Sequence, residues 1–425
     1  MKKFLTISLI CLLLGPSLFA TGEAEKSSAA EKTPITIWAW DPNFNISIMK
    51  EATDIYQKAH PDVEFNIVEM AKADVEQKLH TNLAARTTEG LPDIVLIEDY
   101  NGLKYLNSYP GQFADLTNEI NQKDFLSAKV DVAKLDGKYY SMPFDSGVAG
   151  FFYRTDLLAK AGYTADDLNN ITWDQFCDIA KDYKAKTGQY FFANSRSDGG
   201  LLRIMLQSDG SWYFDKEGNP YIKNNKSLAE AMRIYKRFVE EDLALPTNGW
   251  TEWVGAINNE KVPTITSGVW IIGSIKAATD QSGKWAVAPC PRLSANGKNA
   301  SNLGGSSWYV LENGKNKDQA IDFLNTIYGA DTDFYQTILV NNGAIGSYIP
   351  AFTGKNYNAP DEFFGGQKVY EILSEYAKDI PVVNIGEYTY EADAAVMGNL
   401  EAYYNGQSLS DTLDAIDAQL KNDIL

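Results

Sequence analysis

Histidine and cysteine are scarce in this chain of 425 residues, which contains two histidines and three cysteines. His60 and His80 are not at metal-ligand spacing, so no zinc site is expected. Neither G-x-G-x-x-G nor G-x-x-x-x-G-K-S/T occurs, so the sequence offers no phosphate-binding loop. Gly304-Gly305-Ser306 also lacks the G-x-S-x-G pattern of a nucleophile elbow. We therefore expect no catalytic residue, no bound metal and no cofactor.

Positive charge is also in short supply, because 38 lysine and arginine residues stand against 56 aspartate and glutamate residues. The resulting net charge is -18. Binding to nucleic acid needs a basic face that neutralises phosphates, so no nucleic-acid partner is expected. The remaining composition, with 44% hydrophobic and 22% charged residues, is that of a globular protein. At roughly 100–200 residues per domain, the length favours two or three domains.

The N-terminus has the pattern of a secretory signal peptide. Lys2 and Lys3 precede an apolar run from Phe4 to Phe19, and small residues follow it. This run is shorter than the ~20 residues of a typical membrane-spanning helix, although an uncleaved anchor remains the alternative. We interpret residues 1–22 as the signal peptide and the polar residues 23–33 as a flexible linker. The protein is therefore expected to be exported, to the periplasm or to the cell surface.

The cysteines do not indicate a disulfide scaffold or a lipid anchor. Cys11 lies inside the apolar run, not directly after a small-residue cleavage site. Cys177 and Cys290 remain after export, which permits one disulfide, but buried unpaired thiols are the commoner outcome for such sparse cysteine.

From Pro34 onwards, strand and helix patterns alternate along the chain. Strands are predicted at Ile35–Trp40, Val63–Val68 and Ile94–Ile97, and helices at Ile46–Lys58 and Val75–Ala84. Strands separated by helix-length segments predict parallel βαβ units and an α/β fold. Ligands of such sheets bind outside the carboxyl ends of the strands. Trp40-Asp41 and Glu98-Asp99-Tyr100 are therefore expected on one rim.

Further elements are predicted from local signals. Capping boxes at Thr172 and Ser227 each predict a helix start, and the segment Tyr213–Tyr221 predicts a surface hairpin. Trp173 and Trp285 are expected in hydrophobic cores.

The aromatic content, nine tryptophans and 24 tyrosines, is the positive chemical signal in this acidic chain. Flat aromatic rings stack on the apolar C–H faces of a sugar, while carboxylates and amides hydrogen-bond its hydroxyls. Candidate sugar contacts outside predicted cores are the cluster at the first strand end and two later tryptophans: Trp40, Asp41, Phe44, Asn45, Trp212 and Trp253. Trp250, in or beside the same loop as Trp253, is also expected outside the cores.

Several motifs follow one another along the chain: Leu91–Val95, Phe113–Leu116, Tyr140–Asp145, Gly150–Leu158, Ile171–Phe176, Ser267–Trp270, Gly304–Gly305 and Trp308–Val310. In this order they resemble the bacterial extracellular solute-binding proteins, and specifically the sugar-binding proteins of ABC importers that are related to maltose-binding protein. Each motif alone is loose, but their order and spacing together are specific.

The resemblance implies a two-lobed periplasmic-binding-protein-like fold (type II), with a ligand cleft between lobes joined by about three crossovers. Residues 34–145 and 301–345 would form the first lobe, and residues 146–300 and 346–425 the second. It also implies that the protein captures a mono- or oligosaccharide by hinge closure and delivers it to ABC transporter permease subunits, acting as a monomer.

The same resemblance assigns roles to individual residues. Trp270 would stack on the sugar, Asp145 would lie at the first crossover, and Gly304–Ser306 at the second. Tyr388 would face the cleft from a late helix. The rim residues of the first and third strands would contact ligand hydroxyls: Trp40, Asp41, Glu98, Asp99 and Tyr100. Two alternatives remain open, namely a secreted glycoside hydrolase and a binding protein for a non-sugar solute such as a peptide or polyamine.

Overall fold

The computed structural model describes residues 34–42, 44–195 and 198–424. The predicted signal peptide and linker lie outside the described residues. Within the described residues, no helix has both the length and the apolar character needed to cross a membrane.

Strands and helices alternate through most of the described chain. The strands are β1 (Ile35–Ala39), β2 (Phe65–Glu69), β3 (Ile94–Glu98), β4 (Lys134–Leu135), β5 (Lys138–Tyr139), β6 (Met142–Pro143), β7 (Ala149–Arg154), β8 (Phe192–Ser195), β9 (Ala244–Thr247), β10 (Thr264–Gly268), β11 (Trp285–Pro289) and β12 (Ser306–Val310). The helices are α1 (Asn45–Ala59), α2 (Lys72–Ala84), α3 (Asp99–Ser108), α4 (Ser127–Val130), α5 (Thr155–Lys160), α6 (Trp173–Thr187), α7 (Gly200–Ser208), α8 (Lys226–Glu240), α9 (Gly249–Asn258), α10 (Ile272–Lys276), α11 (Lys317–Ile327), α12 (Thr332–Asn342), α13 (Val369–Lys378), α14 (Thr389–Tyr404) and α15 (Leu409–Ile424).

The first sheet has the strand order β2-β1-β3-β12-β6. Strands β1, β2 and β3 are parallel, as the alternation of strands and helices predicts. The sequence Ile94-Val95-Leu96-Ile97 of β3 is buried throughout, which is typical of a strand covered on both faces. Strand β12 pairs antiparallel with both β3 and β6, so the sheet is mixed and not purely parallel.

The second sheet has the strand order β11-β7-β10-β8-β9. Its interior strand β7, Ala-Gly-Phe-Phe-Tyr-Arg, is buried along its whole length and pairs antiparallel with β10 and β11. Trp173 and Trp285 are fully buried, which confirms their predicted core positions.

Three connecting segments, residues 144–149, 301–305 and 345–347, lie side by side between the two sheets. The chain leaves the first sheet through residues 144–149 and returns through residues 301–305. Residues 345–347 follow α12, which packs against α1, and precede α13, which packs against β11. The amide of Leu303 donates to the Gly147 carbonyl, and that of Ser146 to the Ile345 carbonyl, each at 2.8 Å. Residues 144–149 are therefore hydrogen-bonded to both of the other connecting segments.

The local predictions have mixed outcomes. The capping box at Thr172 is confirmed, since its hydroxyl accepts from the amide of Gln175. The capping box at Ser227 is wrong, because the side chain of Asn225 caps α8 instead, by accepting from the amide of Leu228 at 3.0 Å. The predicted hairpin is confirmed by the amide of Tyr221, which donates to the Tyr213 carbonyl at 2.7 Å. The thiols Cys177 and Cys290 are buried and unpaired.

Candidate functional site

A cavity of about 940 Å³ lies between the two sheets. Its volume is within the roughly 300–1,000 Å³ range of small-molecule sites. Residues that end β1 and β3 form one side, residues of β8, β10 and α9 form the other, and the connecting segment at 303–306 closes the bottom. The cavity walls include these residues singled out from the sequence: Trp40, Asp41, Phe44, Asn45, Glu98, Tyr100, Asp145, Trp253, Trp270, Gly304, Gly305 and Ser306.

Sequence reasoning did not include several other residues of the cavity walls. They are mainly polar: Lys72, Phe192, Asn194, Asp198, Arg203, Thr266 and Asn342. Lys72 is the first residue of helix α2, and nothing in the sequence of this helix distinguishes Lys72 as a cavity residue. Arg203 does have one, because it is the single charged residue in the apolar helix Gly-Leu-Leu-Arg-Ile-Met-Leu-Gln-Ser. Arginine is rarely buried among apolar residues unless its charge is paired, so such a position indicates a specific interaction.

Three indole rings form a tryptophan wall, which we define as Trp250, Trp253 and Trp270. Trp250 and Trp253 are three residues apart on α9 and therefore share one face of the helix. The ring centroid of Trp250 is 5.5 Å from that of Trp253 and 5.7 Å from that of Trp270. Trp250 is 52% exposed, so apolar ring surface is left available. The wall is thus an aromatic surface that faces a cavity with polar groups on its other sides.

The tryptophan wall is held in place by its polar edges. The Nε1 atom of Trp270 donates to the carbonyl of Leu303 at 2.9 Å, and that of Trp253 donates to the carbonyl of Ala193 at 3.2 Å. The N–H groups of both rings are therefore satisfied, while both side chains line the cavity.

The bottom of the cavity requires glycine at one position in particular. Gly305 has φ +102°, and a Cβ atom there would lie 2.8 Å from Asp99 Oδ2. Next to it, the amide and hydroxyl of Ser306 both donate to Asp145 Oδ1, at 2.8 and 2.6 Å. The amide of Gly304 donates to the hydroxyl of Tyr100 at 3.1 Å. The bottom is thus tied by hydrogen bonds to residues of two other chain segments.

Asp99 does not line the cavity, which corrects its predicted direct contact. It lies beneath the bottom in a buried ion pair with Lys129 and accepts a hydrogen bond from Ser307 Oγ at 2.9 Å. Burial raises the pKa of Asp99 to about 6, although Lys129 acts in the opposite direction. Lys129 also donates to the carbonyl of Ser306 at 3.0 Å, so the pair supports the bottom from below.

Trp212 and Tyr388 are also absent from the cavity walls, contrary to expectation. Trp212 is 1% exposed because it stacks on Tyr100, with ring centroids 5.8 Å apart, and donates to Thr389 Oγ1 at 3.0 Å. Tyr388 is half-buried, and the ammonium of Lys104 lies 5.5 Å from its ring centroid. Trp212 thus packs behind Tyr100, which lines the cavity, and Tyr388 contacts Lys104 of α3 outside the cavity.

Charged side chains link α14 to the first sheet and α3 at one side of the cavity. Glu98 forms an ion pair with Lys72 and accepts a hydrogen bond from the hydroxyl of Tyr390. Lys104 forms an ion pair with Glu391 at 2.5 Å. The carboxylate of Glu98, which lines the cavity, therefore already has two partners within the protein.

Comparison with known proteins relates this arrangement to a described family. A sequence profile described as bacterial extracellular solute-binding protein matches residues 51–364. A lactose-binding protein of Rhizobium radiobacter is 50% identical over 399 residues, which are 94% of each chain.

Solved structures with the same fold include two binding proteins from bifidobacteria. One is an ABC transporter-associated binding protein of B. animalis subsp. lactis Bl-04 in complex with beta-1,6-galactobiose, at TM-score 0.73 and 23% identity. The other is the galacto-N-biose/lacto-N-biose I-binding protein of Bifidobacterium longum, at TM-score 0.74 and 18% identity. Each alignment covers 92% of this chain and 96% of the other. The likeness confirms the predicted two-lobed α/β fold.

Proposed function

We propose that this chain, which belongs to the family of bacterial extracellular solute-binding proteins, captures a sugar in the cavity between its sheets and delivers it to ABC transporter permease subunits. The observation that carries the proposal is the 50% identity to a lactose-binding protein across 94% of both chains. A neutral disaccharide, with lactose as the first example, is the ligand class that we infer.

The chemistry of the cavity supports a sugar ligand. A pyranose ring has an apolar C–H face and a rim of hydroxyls, so it needs a flat apolar surface beside polar groups. The tryptophan wall supplies the apolar surface. Asp41, Asn45, Asn194 and Asp198 line the same cavity and supply polar groups for the hydroxyls.

Binding without turnover is part of the proposal. Glycoside hydrolysis needs two carboxyl groups about 5–5.5 Å or about 6.5–9.5 Å apart, one acting as a proton donor. Glu98 is held by Lys72 and Tyr390, and Asp145 accepts two hydrogen bonds from Ser306. Glu98 and Asp145 are thereby engaged in contacts within the protein, which disfavours each of these two carboxyl groups as the proton donor of a hydrolase.

The polyamine alternative is disfavoured by the aromatic surface and not by charge. Four carboxylates (Asp41, Glu98, Asp145 and Asp198) and two cations (Lys72 and Arg203) line the cavity, so its net charge does not repel a polycation. The tryptophan wall suits the apolar face of a sugar ring and therefore favours the sugar.

Export, monomeric action and hinge closure complete the proposal. The proposed lobes are residues 34–145 with 301–345 and residues 146–300 with 346–425. They would move towards each other about the three connecting segments, and the permease would bind the closed form. The site of action would be the periplasm or the cell surface.

Titration calorimetry with lactose tests the proposal, with mannitol as a non-ring polyol control. We expect a saturable lactose isotherm and chromatographic recovery of the sugar intact. At 100 times Kd, lactose should stabilise the protein by about 2.7 kcal/mol in a thermal-shift assay. Binding of no neutral sugar in a library, or cleavage of the bound sugar, would contradict the proposal.

A further inference from the structure

Glu98 ends β3 on the cavity wall, and the two oxygens of its carboxylate have different surroundings. The ammonium of Lys72 and the hydroxyl of Tyr390 both donate to Oε2. Among the described residues, no group donates a hydrogen bond to Oε1. The Glu98 side chain is 19% exposed, and Oε1 is not one of the enclosed polar atoms that lack a partner. Oε1 is therefore a hydrogen-bond acceptor that is open to the cavity.

Lys72 holds Glu98 from the start of the neighbouring helix α2. Its ammonium also lies 3.7 Å from Glu76 Oε1 and 5.2 Å from the ring centroid of Tyr390. The cation thus contacts both the carboxylate and the aromatic ring whose hydroxyl binds that carboxylate. Because the charge of Lys72 offsets that of Glu98, the cost of keeping a carboxylate on a partly buried wall is reduced.

Tyr390 reaches the same carboxylate from α14, a helix that packs against α15, α8 and α3. Two polar contacts tie the start of α14 to α3. Lys104 pairs with Glu391 at 2.5 Å, and the side-chain amide of Asn107 donates to Glu387 Oε1 at 2.8 Å. Because these contacts lie on both sides of Tyr390 in the sequence, they fix the position from which its hydroxyl donates.

We propose that Lys72 and Tyr390 are positioning residues that fix the Glu98 carboxylate through Oε2, so that Oε1 accepts a hydrogen bond from one hydroxyl of the sugar. This inference rests on the proposed function and deepens it. An ionised carboxylate accepts hydrogen bonds and donates none, so it selects a sugar that has a hydroxyl donor at this position. An analogue without this hydroxyl would leave the oriented acceptor unpaired, and a site built in this way rejects such analogues.

Glu98→Gln is the informative variant, because the two donors at Oε2 orient the new amide. Since Lys72 and Tyr390 both donate, the amide oxygen should take the position of Oε2 and the amide nitrogen that of Oε1. The variant thereby replaces the acceptor for the sugar by a donor of almost the same shape.

Calorimetry on the full-length protein compares lactose with its monodeoxyfluoro derivatives, in which fluorine replaces one hydroxyl and cannot donate. At least one derivative should bind the wild type about 10-fold more weakly than lactose. Glu98→Gln should weaken lactose binding by about 10- to 100-fold and should bind that derivative as well as it binds lactose. Equal losses in both proteins for every derivative, or unchanged lactose binding by Glu98→Gln, would overturn the inference while leaving the proposed function intact. Failure of the wild type to bind any neutral sugar would overturn both.

Tyr390→Phe tests the positioning role, with Tyr388→Phe as the matched control. Tyr388 lies two residues before Tyr390 and is absent from the cavity walls. Tyr390→Phe should weaken lactose binding by about 2- to 10-fold, whereas Tyr388→Phe should leave it unchanged. On the Glu98→Gln background, the loss caused by Tyr390→Phe should largely disappear, because the oriented acceptor is already gone. An equal loss on both backgrounds would show that Tyr390 acts on the sugar or on the fold directly, and its positioning role would be refuted.

Lys72→Met applies the same test to the other positioning residue, with Lys78→Met as its control. Lys78 lies on the same helix, with its ammonium 5.9 Å from the ring centroid of Trp38, and is absent from the cavity walls. Lys72→Met should weaken lactose binding, and by less on the Glu98→Gln background, where no carboxylate charge remains to be offset. Unchanged affinity of Lys72→Met would remove Lys72 from the arrangement.

A crystal structure of the wild type with lactose keeps the test independent of variant folding. One sugar hydroxyl should lie within hydrogen-bond distance of Glu98 Oε1, while Lys72 and Tyr390 remain bound to Oε2. A structure in which no sugar hydroxyl contacts Oε1, or in which the sugar displaces Tyr390 from Oε2, would contradict the assignment.

Discussion

Replacing Gly147 by alanine should destabilise the protein, because the three connecting segments leave no space for a Cβ atom there. An alanine Cβ would lie 2.2 Å from the carbonyl oxygen of Leu303, 2.7 Å from its carbonyl carbon and 2.9 Å from the carbonyl carbon of Gly304. All three are backbone atoms, so no side-chain rotation relieves the overlap. The amide of Leu303 also donates to the carbonyl of Gly147, which holds the two segments at this separation.

The magnitude follows from the shift that alanine requires. Cβ atoms essentially never approach a heavy atom closer than 3.0 Å, so the segments at 147 and 303 must separate and weaken the hydrogen bond between them. Overpacking of this kind costs about 1–3 kcal/mol, and a weakened backbone hydrogen bond adds about 0.5–1.5 kcal/mol. We therefore expect Gly147→Ala to lower the free energy of unfolding by about 2–4 kcal/mol.

Urea unfolding followed by tryptophan fluorescence measures this change, with Gly398→Ala as the matched control. Gly398 lies inside α14, and a Cβ atom there would have no heavy atom within 4 Å. Alanine in a helix interior stabilises by about 0.5–1 kcal/mol relative to glycine, so the control should shift the opposite way. If Gly147→Ala is as stable as the wild type, the close contact between the connecting segments is wrong.

Three further predictions concern the cavity and its surroundings. Trp270→Ala should weaken sugar binding by on the order of 1–3 kcal/mol in calorimetry while the fold is retained, and Trp270→Phe should weaken it less. A steep fall in the melting temperature of Trp270→Ala with unchanged sugar affinity would instead show that Trp270 is a core residue. Burial raises the pKa of Asp99 from its ordinary 3.8 to about 6, so the contribution of Asp99 to the free energy of unfolding should fall as pH rises from about 4 to 6. Other carboxylates, such as Asp174 and Asp242, have lowered pKa values and act in the opposite direction, so the test is the difference between two proteins. In urea unfolding, the free energy of the wild type should fall relative to that of Asp99→Asn as pH rises over this range, and a constant difference would disprove the shift. Saturating lactose should shrink the radius of gyration in small-angle X-ray scattering, whereas an unchanged curve would indicate a preformed site without hinge closure.

The sequence predicts the first three strands well, because hydrophobic runs and helix-length spacers are local signals. It does not predict that β12 pairs with β3, since Asp99 and Ser307, which are hydrogen-bonded across this pairing, are 208 residues apart. The position of β12 depends on the return of the chain through residues 301–305, and no local pattern encodes that return.

The residues of the cavity walls are likewise predicted only in part. The end of β3 brings Glu98, Asp99 and Tyr100 to the rim, but adjacent residues point in different directions, so Asp99 lies below the cavity bottom while its two neighbours line the walls. The predicted position of Trp212 is wrong for a different reason. Its stacking partner Tyr100 comes from a distant part of the chain, so no local pattern shows that Trp212 is buried. Arg203 stands out in the sequence as the single charged residue of an apolar helix, but its place on the cavity wall depends on how that helix packs.

The interrupted first sheet has a consequence for the order in which the chain acquires structure during synthesis. All strands of the second sheet come from one contiguous stretch, Ala149 to Pro289, so they are complete before β12 has been made. Until β12 arrives, one edge of β3 has unpaired backbone groups, and closing the intervening loop carries an entropic cost that grows with its length. Such long-range pairing slows folding. The sheet that begins first in the sequence is therefore the last to be completed.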